Sequence, residues 1–512
     1  MFKGTLREYQ EEAVERMVDR GQMLLGMVMG AGKTPTALAA IEELHALDDV
    51  ERCLVVVPAS LKYQWRDEIK KFTDAKATII DGAKAKRPQQ WKDSLRSRYV
   101  IVNPETLAND VKLIGPIQAI VVDEATIIKS RTAKRSRLLK KVGKTVPFRY
   151  ALTGQPIENR PEELFSIMEF VDKDVLGDFK SYDHTFIVRD HWGKPLRYRN
   201  LDKMFKAMQE CMVRKTREDI ADQLPDIIHQ VIPVEFDAKG ASLYRHITAD
   251  LLNQIATAVK HGSGSFNLWA HYNDPAGKEA QGQIMARLTV LRMLCDNPLL
   301  VSRSATNHDD PTTKAGSQYA ADIVKAGRMD GVTATPKLDA VLSYIEEVLD
   351  EDPTNKVVLF SFFKDNLRLI QEATKHLTNS VLFMGGMTAD EKDKAKQRFS
   401  TDPNTRLFLS SDAGGYGVDL PMANYLISYD LPWSSGKLEQ REARIIRLSS
   451  EFPHVTIATF VMAGSIEERQ YAMLQEKLKT NEAFIDGKHQ DQEGGMAITL
   501  DSLSSFLRES TV

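Results

Sequence analysis

A glycine loop at the end of one apolar run constrains this chain more than any other feature. Gly30-Ala31-Gly32-Lys33-Thr34 follows a strand-like run at 23–27 and precedes a segment in which Leu38, Ile41 and Leu44 share one helical face. Strand, glycine turn and helix in that order aim backbone N–H groups and a helix N-terminus at one anion. The pattern predicts a phosphate-binding loop, with Lys33 reaching the β- and γ-phosphates and the Thr34 hydroxyl ligating Mg²⁺. Pro35 suits the first helical turn, where its missing N–H has no intrahelical partner. The complete motif has a glycine at position 27, where Met27 stands. The competing reading is a glycine-rich turn before a surface helix.

Asp123-Glu124 ends the apolar run at 119–122. In an open parallel sheet, ligands gather at the C-terminal strand edge, so this pair and the glycine loop are predicted to face one crevice. Asp123 is placed to hold Mg²⁺ through water and Glu124 to polarise an attacking water, the two roles that phosphoryl transfer asks of carboxylates. An isolated Asp-Glu pair would simply be a solvated strand end.

Short apolar runs recur along both halves, with helical stretches between them. They fall at 23–25, 54–57, 99–102, 119–122 and 150–152, and again at 357–360, 381–384, 407–409, 425–427 and 455–461. Two series of that kind predict an α/β chain with two parallel-sheet lobes. Between them, 237–259 and 278–294 have helical periodicity, whereas 262–277 and 302–335 read as polar loops. No internal repeat is evident in the sequence.

At 512 residues, with 42% apolar and 27% charged side chains, the chain has the composition of a soluble globular protein with more than one domain. A net charge of −3 excludes a polybasic protein but leaves room for a local basic face. Cys53, Cys211 and Cys295 are too scattered for a zinc ribbon or a disulfide framework. The first residues lack the apolar core of a secretory signal, and no run is long enough to span a bilayer. These features predict an intracellular protein without a structural metal.

Taken in order, the glycine loop, DEAT at 123–126 and LTGQPIEN at 152–159 resemble helicase superfamily two. Further segments resemble its Swi/Snf-type branch of duplex-DNA translocases. They are LREYQ at 6–10, VVVPASLKYQW at 55–65, RKTREDI at 214–220, LRMLCDNPLL at 291–300, SSDAGGYGVDL at 410–420, YDLPW at 429–433, QREARIIRL at 440–448 and GSIEER at 464–469. That branch usually has an M-G-x-G-K-T loop, which Met29 to Thr34 fit and which accounts for Met27. Thr126, Asp419 and Ile446 depart from its usual pattern.

The resemblance implies two RecA-like lobes with helical protrusions between them. Its boundaries would be 1–230 for lobe one with its protrusion and linker, 231–345 for the protrusion of lobe two, 346–485 for lobe two and 486–512 for a tail helix. It implies ATP and Mg²⁺ as cofactors. Met29, Gly30, Ala31, Gly32, Lys33 and Thr34 would hold the phosphates, Gln10 would read adenine with Arg7 nearby, and Gly417 and Asp419 would line the lobe-two side. Thr34 and Asp123 would hold the metal. Lys33, Asp123, Glu124 and Gln155 would be catalytic, joined by Arg444 and Arg447 as arginine fingers from the second lobe, with Thr153 helping to couple nucleotide to DNA. On residues alone, Arg444 and Arg447 also fit an ordinary amphipathic helix.

For nucleic acid, 129–141 reads KSRTAKRSRLLKK, basic and free of acids. Lys129, Arg131 and Lys134 are therefore candidate phosphate contacts, as are Ser60, Lys62, Asn103 and Thr106 on the same rim. In lobe two the candidates are Ser361, Lys364, Gly385, Gly386, Ser410 and Ser411. Hydroxyls, backbone N–H groups and amines of this kind hold phosphates without reading bases. The basic run could equally be a solvated helix face, and Trp65 a packing residue. The expected activity is ATP-driven translocation on duplex or branched DNA without sequence preference, by a monomeric motor of minimal bacterial or viral type in the cytoplasm. A strand-separating or fork-remodelling helicase remains open, as does a nucleotide-gated clamp or a motor subunit of a larger complex. Leu500, Leu503, Phe506 and Leu507 share a helical face that could dock on lobe two or on a partner.

Overall fold

The computed structural model describes the chain except residues 158–160, 190, 192–194, 262–274, 314, 413–417, 487–490, 494–503, 506 and 509–512. Two compact units divide it. The first is Met1–Leu224 with Ile446–Leu448 and Lys477–Met496, and the second is Pro225–Ile445 with Ser449–Glu476 and Ala497–Val512.

The strands of the first unit are β1 (Gln22–Met27), β2 (Cys53–Val56), β3 (Ala77–Ile79), β4 (Tyr99–Val102), β5 (Ala119–Asp123), β6 (Phe148–Leu152), β7 (Ile187–Arg189), β8 (Pro195–Arg199) and β9 (Met212–Lys215). Seven of them form one sheet in the order β3-β4-β2-β5-β6-β1-β9, and each of its strand pairs is parallel. Parallel strands joined by helices are covered on both faces, which explains why their sequences are continuously apolar. The two-residue period still sorts them. Leu24, Leu54, Val56, Ile120 and Val122 enter one core, whereas Met23, Leu25, Val55, Val121 and Leu152 enter the other.

The second unit repeats the plan with β10 (Asp226–Val234), β11 (Val357–Phe360), β12 (Asn379–Phe383), β13 (Thr405–Ser410), β14 (Tyr425–Ser428) and β15 (His454–Met462). Its sheet runs β10-β15-β14-β11-β13-β12, again with parallel pairs. The helices Ala238–His261 and Pro275–Asp296 contain the predicted helical stretches apart from Asp237.

Between the two predicted series of strands, where the sequence reads as helices and polar loops, the chain also carries strands β7 to β10. Most residues of β10 are exposed because it is an edge strand, so its sequence lacks the uniform apolar run of an interior strand. β7, β8 and β9 are only three to five residues long, too short for a periodic signal. The stretch read as a polar loop at 302–335 contains most of the helix Pro298–Asp309 and all of the helix Gln318–Lys325. Asn297 and Ser317 cap these two helices, accepting from the N–H groups of Leu299 and Ala320.

A buried ionic cluster ties together three helices of the second unit. Lys337, near the start of Pro336–Glu351, donates to Glu467 at 2.7 Å and to Asp296 at 3.2 Å. Burial opposes its ammonium, but the Glu467 and Asp296 carboxylates outweigh that penalty and raise its pKa. Tyr429 closes the cluster by donating to the Asp296 carbonyl. The three cysteines are buried. Among the described residues no helix is long and apolar enough to cross a membrane. Of the predicted tail face, Leu507 is buried, while Leu500, Leu503 and Phe506 lie outside the described residues.

Candidate nucleotide site

Three neighbouring strands of the first unit present the predicted groups at one sheet edge. β6 lies between β1 and β5, all parallel. The glycine loop leaves the C-terminal end of β1, Asp123 ends β5, and Thr153 to Gln155 follow β6. The arrangement depends on strand order, which neither sequence spacing nor periodicity specifies.

The loop turns on glycines in the left-handed region, Gly30 at φ 84° and Gly32 at φ 77°. A side chain at either position would be strained. At Gly32 a Cβ would also fall 2.2 Å from Gln10 Nε2. The helix Lys33–Ala46 begins directly after it. Lys33 folds back on its own loop, with Nζ donating to the carbonyls of Met27 at 3.0 Å and Val28 at 3.3 Å. Burial lowers its pKa, and the charges of Glu124 and Asp123 oppose that shift. Thr34 is half-buried in the first helical turn.

Gln10 is held against the loop from the helix Glu8–Arg20. Its Nε2 donates to Ala31 O at 3.1 Å, and its Oε1 accepts from the Arg7 N–H at 2.9 Å. Those bonds leave the amide one N–H and one lone pair with which to meet a base. Tyr9 adds a second clamp, donating to the same Ala31 carbonyl at 2.9 Å. Arg7 points its guanidinium at Gln223, with Nη1 donating to Oε1 at 2.8 Å.

Asp123 carries two anchors. Its Oδ2 accepts from Trp65 Nε1 at 2.8 Å, and its Oδ1 from the Glu124 N–H at 2.8 Å. Burial raises its pKa, against the Trp65 bond and the Lys33 charge. Glu124 sits in the left-handed region at φ 50° and ψ 59°. Few glutamates adopt that conformation, which costs about 1–2 kcal/mol. Gln155 is buried with its Oε1 unpartnered, and its backbone N–H donates to Thr153 Oγ1 at 3.2 Å.

These residues fit a magnesium nucleotide. An ammonium, a half-buried carboxylate, a threonine hydroxyl and an unsatisfied amide oxygen share the C-terminal strand edge with a glycine cradle that a Cβ would obstruct. Thr34 and Asp123 would hold the metal, and Lys33 with Met29 to Gly32 the phosphates.

In the second unit, Arg444 is buried and its Nη1 donates to Val418 O at 3.4 Å. Its backbone carbonyl accepts from the Leu420 N–H, which ties it to the half-buried Asp419. Arg447, expected from the second lobe, lies in Ile446–Leu448, a segment that groups with the first unit. Gly417 lies outside the described residues.

Arg441 is a further candidate, beyond the residues that the sequence singles out. It is buried and grips Asp412 through Nε at 2.6 Å and Nη2 at 3.0 Å, while Nη2 also reaches Asp430 at 3.2 Å. Burial alone would raise the Asp412 carboxyl; the guanidinium overrides it and holds the carboxyl below the ordinary range. The signal was present in QREARIIRL, whose arginines recur three apart as a triplet. Trp65 is buried, in line with its packing reading, and its indole N–H donates to Asp123.

The candidate nucleic-acid contacts divide by exposure. Ser60, Arg131 and Lys134 are exposed, Thr106 and Lys129 half-buried, and Lys129 lies 3.9 Å from Glu163. Lys62 is buried in a 2.9 Å salt bridge with Asp81, so it does not present its amine to a ligand. Asn103 precedes the helix Pro104–Asp110 and donates to Glu105, while its Oδ1 is buried without a partner. Ser361 and Ser410 are buried and donate to Asp430 and to the Phe383 carbonyl. Ser411 is buried and accepts from the Gly385 N–H, whereas Gly386 and Lys364 are exposed. Ser361, Ser410 and Lys62 are thus occupied by protein partners that local sequence does not reveal.

A parallel sheet with a glycine loop and a carboxylate pair at the ends of two strands that flank a third defines a nucleotide-binding α/β protein of the RecA-like kind. Comparison with known proteins gives the family. The model described as "SNF2-related domain" matches residues 9–300, and "Helicase conserved C-terminal domain" matches 337–449. The chain belongs to the SNF2-related helicase-superfamily-two ATPase domains. It is 26% identical to the "Uncharacterized ATP-dependent helicase MG018" of Mycoplasma genitalium, over 91% of this chain and 40% of that one. It is 23% identical to the "Uncharacterized ATP-dependent helicase YqhH" of Bacillus subtilis, over 98% and 86% respectively. The chain thus spans less than half the length of the first relative. Among solved structures, the Hef helicase domain of Pyrococcus furiosus matches with a TM-score of 0.56 at 14% identity, covering 91% of this chain and 97% of that one. That likeness concerns the fold.

Proposed function

We propose that the chain is a DNA-stimulated ATPase that moves along duplex DNA without separating its strands. The observation that carries the reading is the convergence of Lys33, Asp123, Glu124 and Gln155 at one edge of the first sheet. The family and the names of its relatives, both ATP-dependent helicases, supply the direction.

In this reading ATP lies on the glycine loop, with Gln10 and Arg7 at the adenine end. Magnesium, held by Thr34 and Asp123, would neutralise phosphate charge. Lys33 exchanges its two loop carbonyls for phosphate oxygens. Glu124 orients the attacking water and takes its proton as the bond from the γ-phosphorus to the bridging oxygen breaks, leaving ADP and phosphate. Gln155 offers its amide to that water or to the γ-phosphate, and Thr153 fixes the Gln155 backbone. Arg444 and Arg447 neutralise charge developing on the γ-phosphate, and Asp419 lines the lobe-two side. Arg441 is a positioning residue, holding the backbone ahead of them through Asp412 and Asp430.

Nucleic acid is held through its phosphates by Arg131, Lys134, Lys129, Ser60, Thr106 and Asn103 on the first unit. Gly385, Gly386, Lys364 and Ser411 serve on the second. Binding of this kind is insensitive to sequence and falls steeply with salt. A displacement assay tests the reading. ATP-dependent release of a triplex-forming oligonucleotide, with a blunt duplex left paired, supports translocation; robust unwinding of that duplex refutes it.

A further inference from the structure

The first unit has a second cationic feature, away from the nucleotide edge. A cavity of about 480 Å³ opens between the helices Lys134–Gly143 and Glu162–Val171, lined by seven basic side chains and a single carboxylate, Glu169. Arg149, at its floor, pairs in register with Gln22, the first residue of β1, whereas the glycine loop follows the last. Arg149 and Thr153 are four residues apart along β6, which separates the groove floor from the nucleotide edge by about 13 Å.

The basic residues divide by the work they already do. Arg149 donates to the carbonyls of Val146, Phe170 and Val171, tying the C-terminal ends of both helices together. Lys140 donates to Ser166 at 2.8 Å and Glu169 at 2.7 Å, which cancels the one acid. Arg131, already assigned to the track, lines the near end of the groove and stacks over Phe179 at 4.1 Å. The outer wall is Arg137, Lys141 and Lys144, all exposed. Lys173 faces them from the far side, beside Asp174. The fixed cations make the floor positive, and the outer ones are available to a ligand.

Spacing selects that ligand. Positions 137, 141 and 144 lie on one helical face and span about 10 Å of axis, more than one phosphate group covers. Neighbouring phosphates of one DNA strand stand several ångströms apart, so the same length bridges successive phosphates of a single backbone. We propose that this groove holds the phosphate backbone of a DNA segment lying beyond the track at the nucleotide edge. The proposal rests on the DNA-acting reading and adds a second contact to it.

The test measures affinity of the full chain for duplexes of about 15 and about 50 bp, roughly one and a half and five helical turns, across a salt series. It compares wild type with Arg137→Gln/Lys141→Gln/Lys144→Gln. A matched triple elsewhere on the unit, Lys84→Gln/Lys86→Gln/Lys92→Gln, reports general charge loss, and thermal midpoints report folding. A second contact predicts that wild type binds the longer duplex at least ten-fold tighter per site. The groove variant should lose most of that gain, and its log-affinity against log-salt slope should fall by about 2–3. The matched triple should keep both. Equal behaviour of groove variant and wild type, or equal losses in the two triples, overturns the proposal while leaving the track intact. Failure of wild type to bind either duplex overturns the DNA reading as well. If only inorganic tripolyphosphate discriminates variant from wild type, the groove is a small-anion site and the DNA assignment is wrong.

Discussion

Trp65 donates its indole N–H to Asp123 at 2.8 Å, joining the helix Lys62–Phe72 to the carboxylate at the end of β5. The bond fixes one oxygen of a half-buried carboxyl while the Glu124 N–H fixes the other. A partner behind a candidate metal ligand of this kind commonly sets metal affinity. Trp65→Phe keeps the ring and removes the donor. It is expected to raise the Mg²⁺ concentration for half-maximal ATP turnover by about ten-fold, with a smaller effect on the rate at saturating Mg²⁺. An unchanged Mg²⁺ titration would show that the indole only packs.

Glu124 holds a left-handed conformation that a glycine adopts without strain. Glu124→Gly relieves about 1–2 kcal/mol and returns about 0.5–1 through a more flexible unfolded chain. Its denaturation midpoint should match or exceed that of wild type, whereas Glu124→Val should lower it. A clear loss of stability in the glycine variant would mean that Glu124 contacts outweigh its backbone strain.

Lys337 faces two carboxylates in a site from which water is excluded. Lys337→Met leaves Asp296 and Glu467 buried together without a cation, at a cost of about 3–5 kcal/mol. Urea unfolding followed on the second unit measures it. A loss below about 1 kcal/mol would show that the carboxylates simply take up protons.

Glu42 makes an acid-sensitive contact in the first unit. Burial alone would raise its pKa, but bonds from Arg98 and Tyr99 outweigh that and hold it below the usual range. A depressed carboxyl contributes stability above its unfolded value of about 4.3, and that stability is lost as pH falls through the folded value. Glu42→Gln should therefore destabilise the chain at neutral pH, with the difference from wild type shrinking below about pH 4. A difference constant across that range contradicts the linkage.

Much of the site was legible because its chemistry demands particular residues in particular order. Gly30 and Gly32 occupy backbone regions that other residues avoid, and Asp123-Glu124 stands at the end of a run whose burial on both faces makes it uniformly apolar. Other features depend on tertiary neighbours. Trp65 and Asp123 meet through adjacent strands β2 and β5, across fifty-eight positions of chain. Lys62 reads as a ready phosphate contact until Asp81 takes it. Asp412 and Asp430 sit on separate loops that only the folded sheet brings to Arg441. β10 is silent in the sequence because an exposed edge strand lacks the continuous apolar run of the interior ones.

Steady-state phosphate release, with and without blunt duplex, in wild type and Glu124→Gln is the most direct test of an ATP engine at the β1 and β5 strand ends. The account predicts that duplex raises the wild-type rate by at least about ten-fold, and that the variant loses at least about a hundred-fold while still binding ATP. Equal rates in the two proteins, or a wild-type rate that ignores DNA, would contradict it.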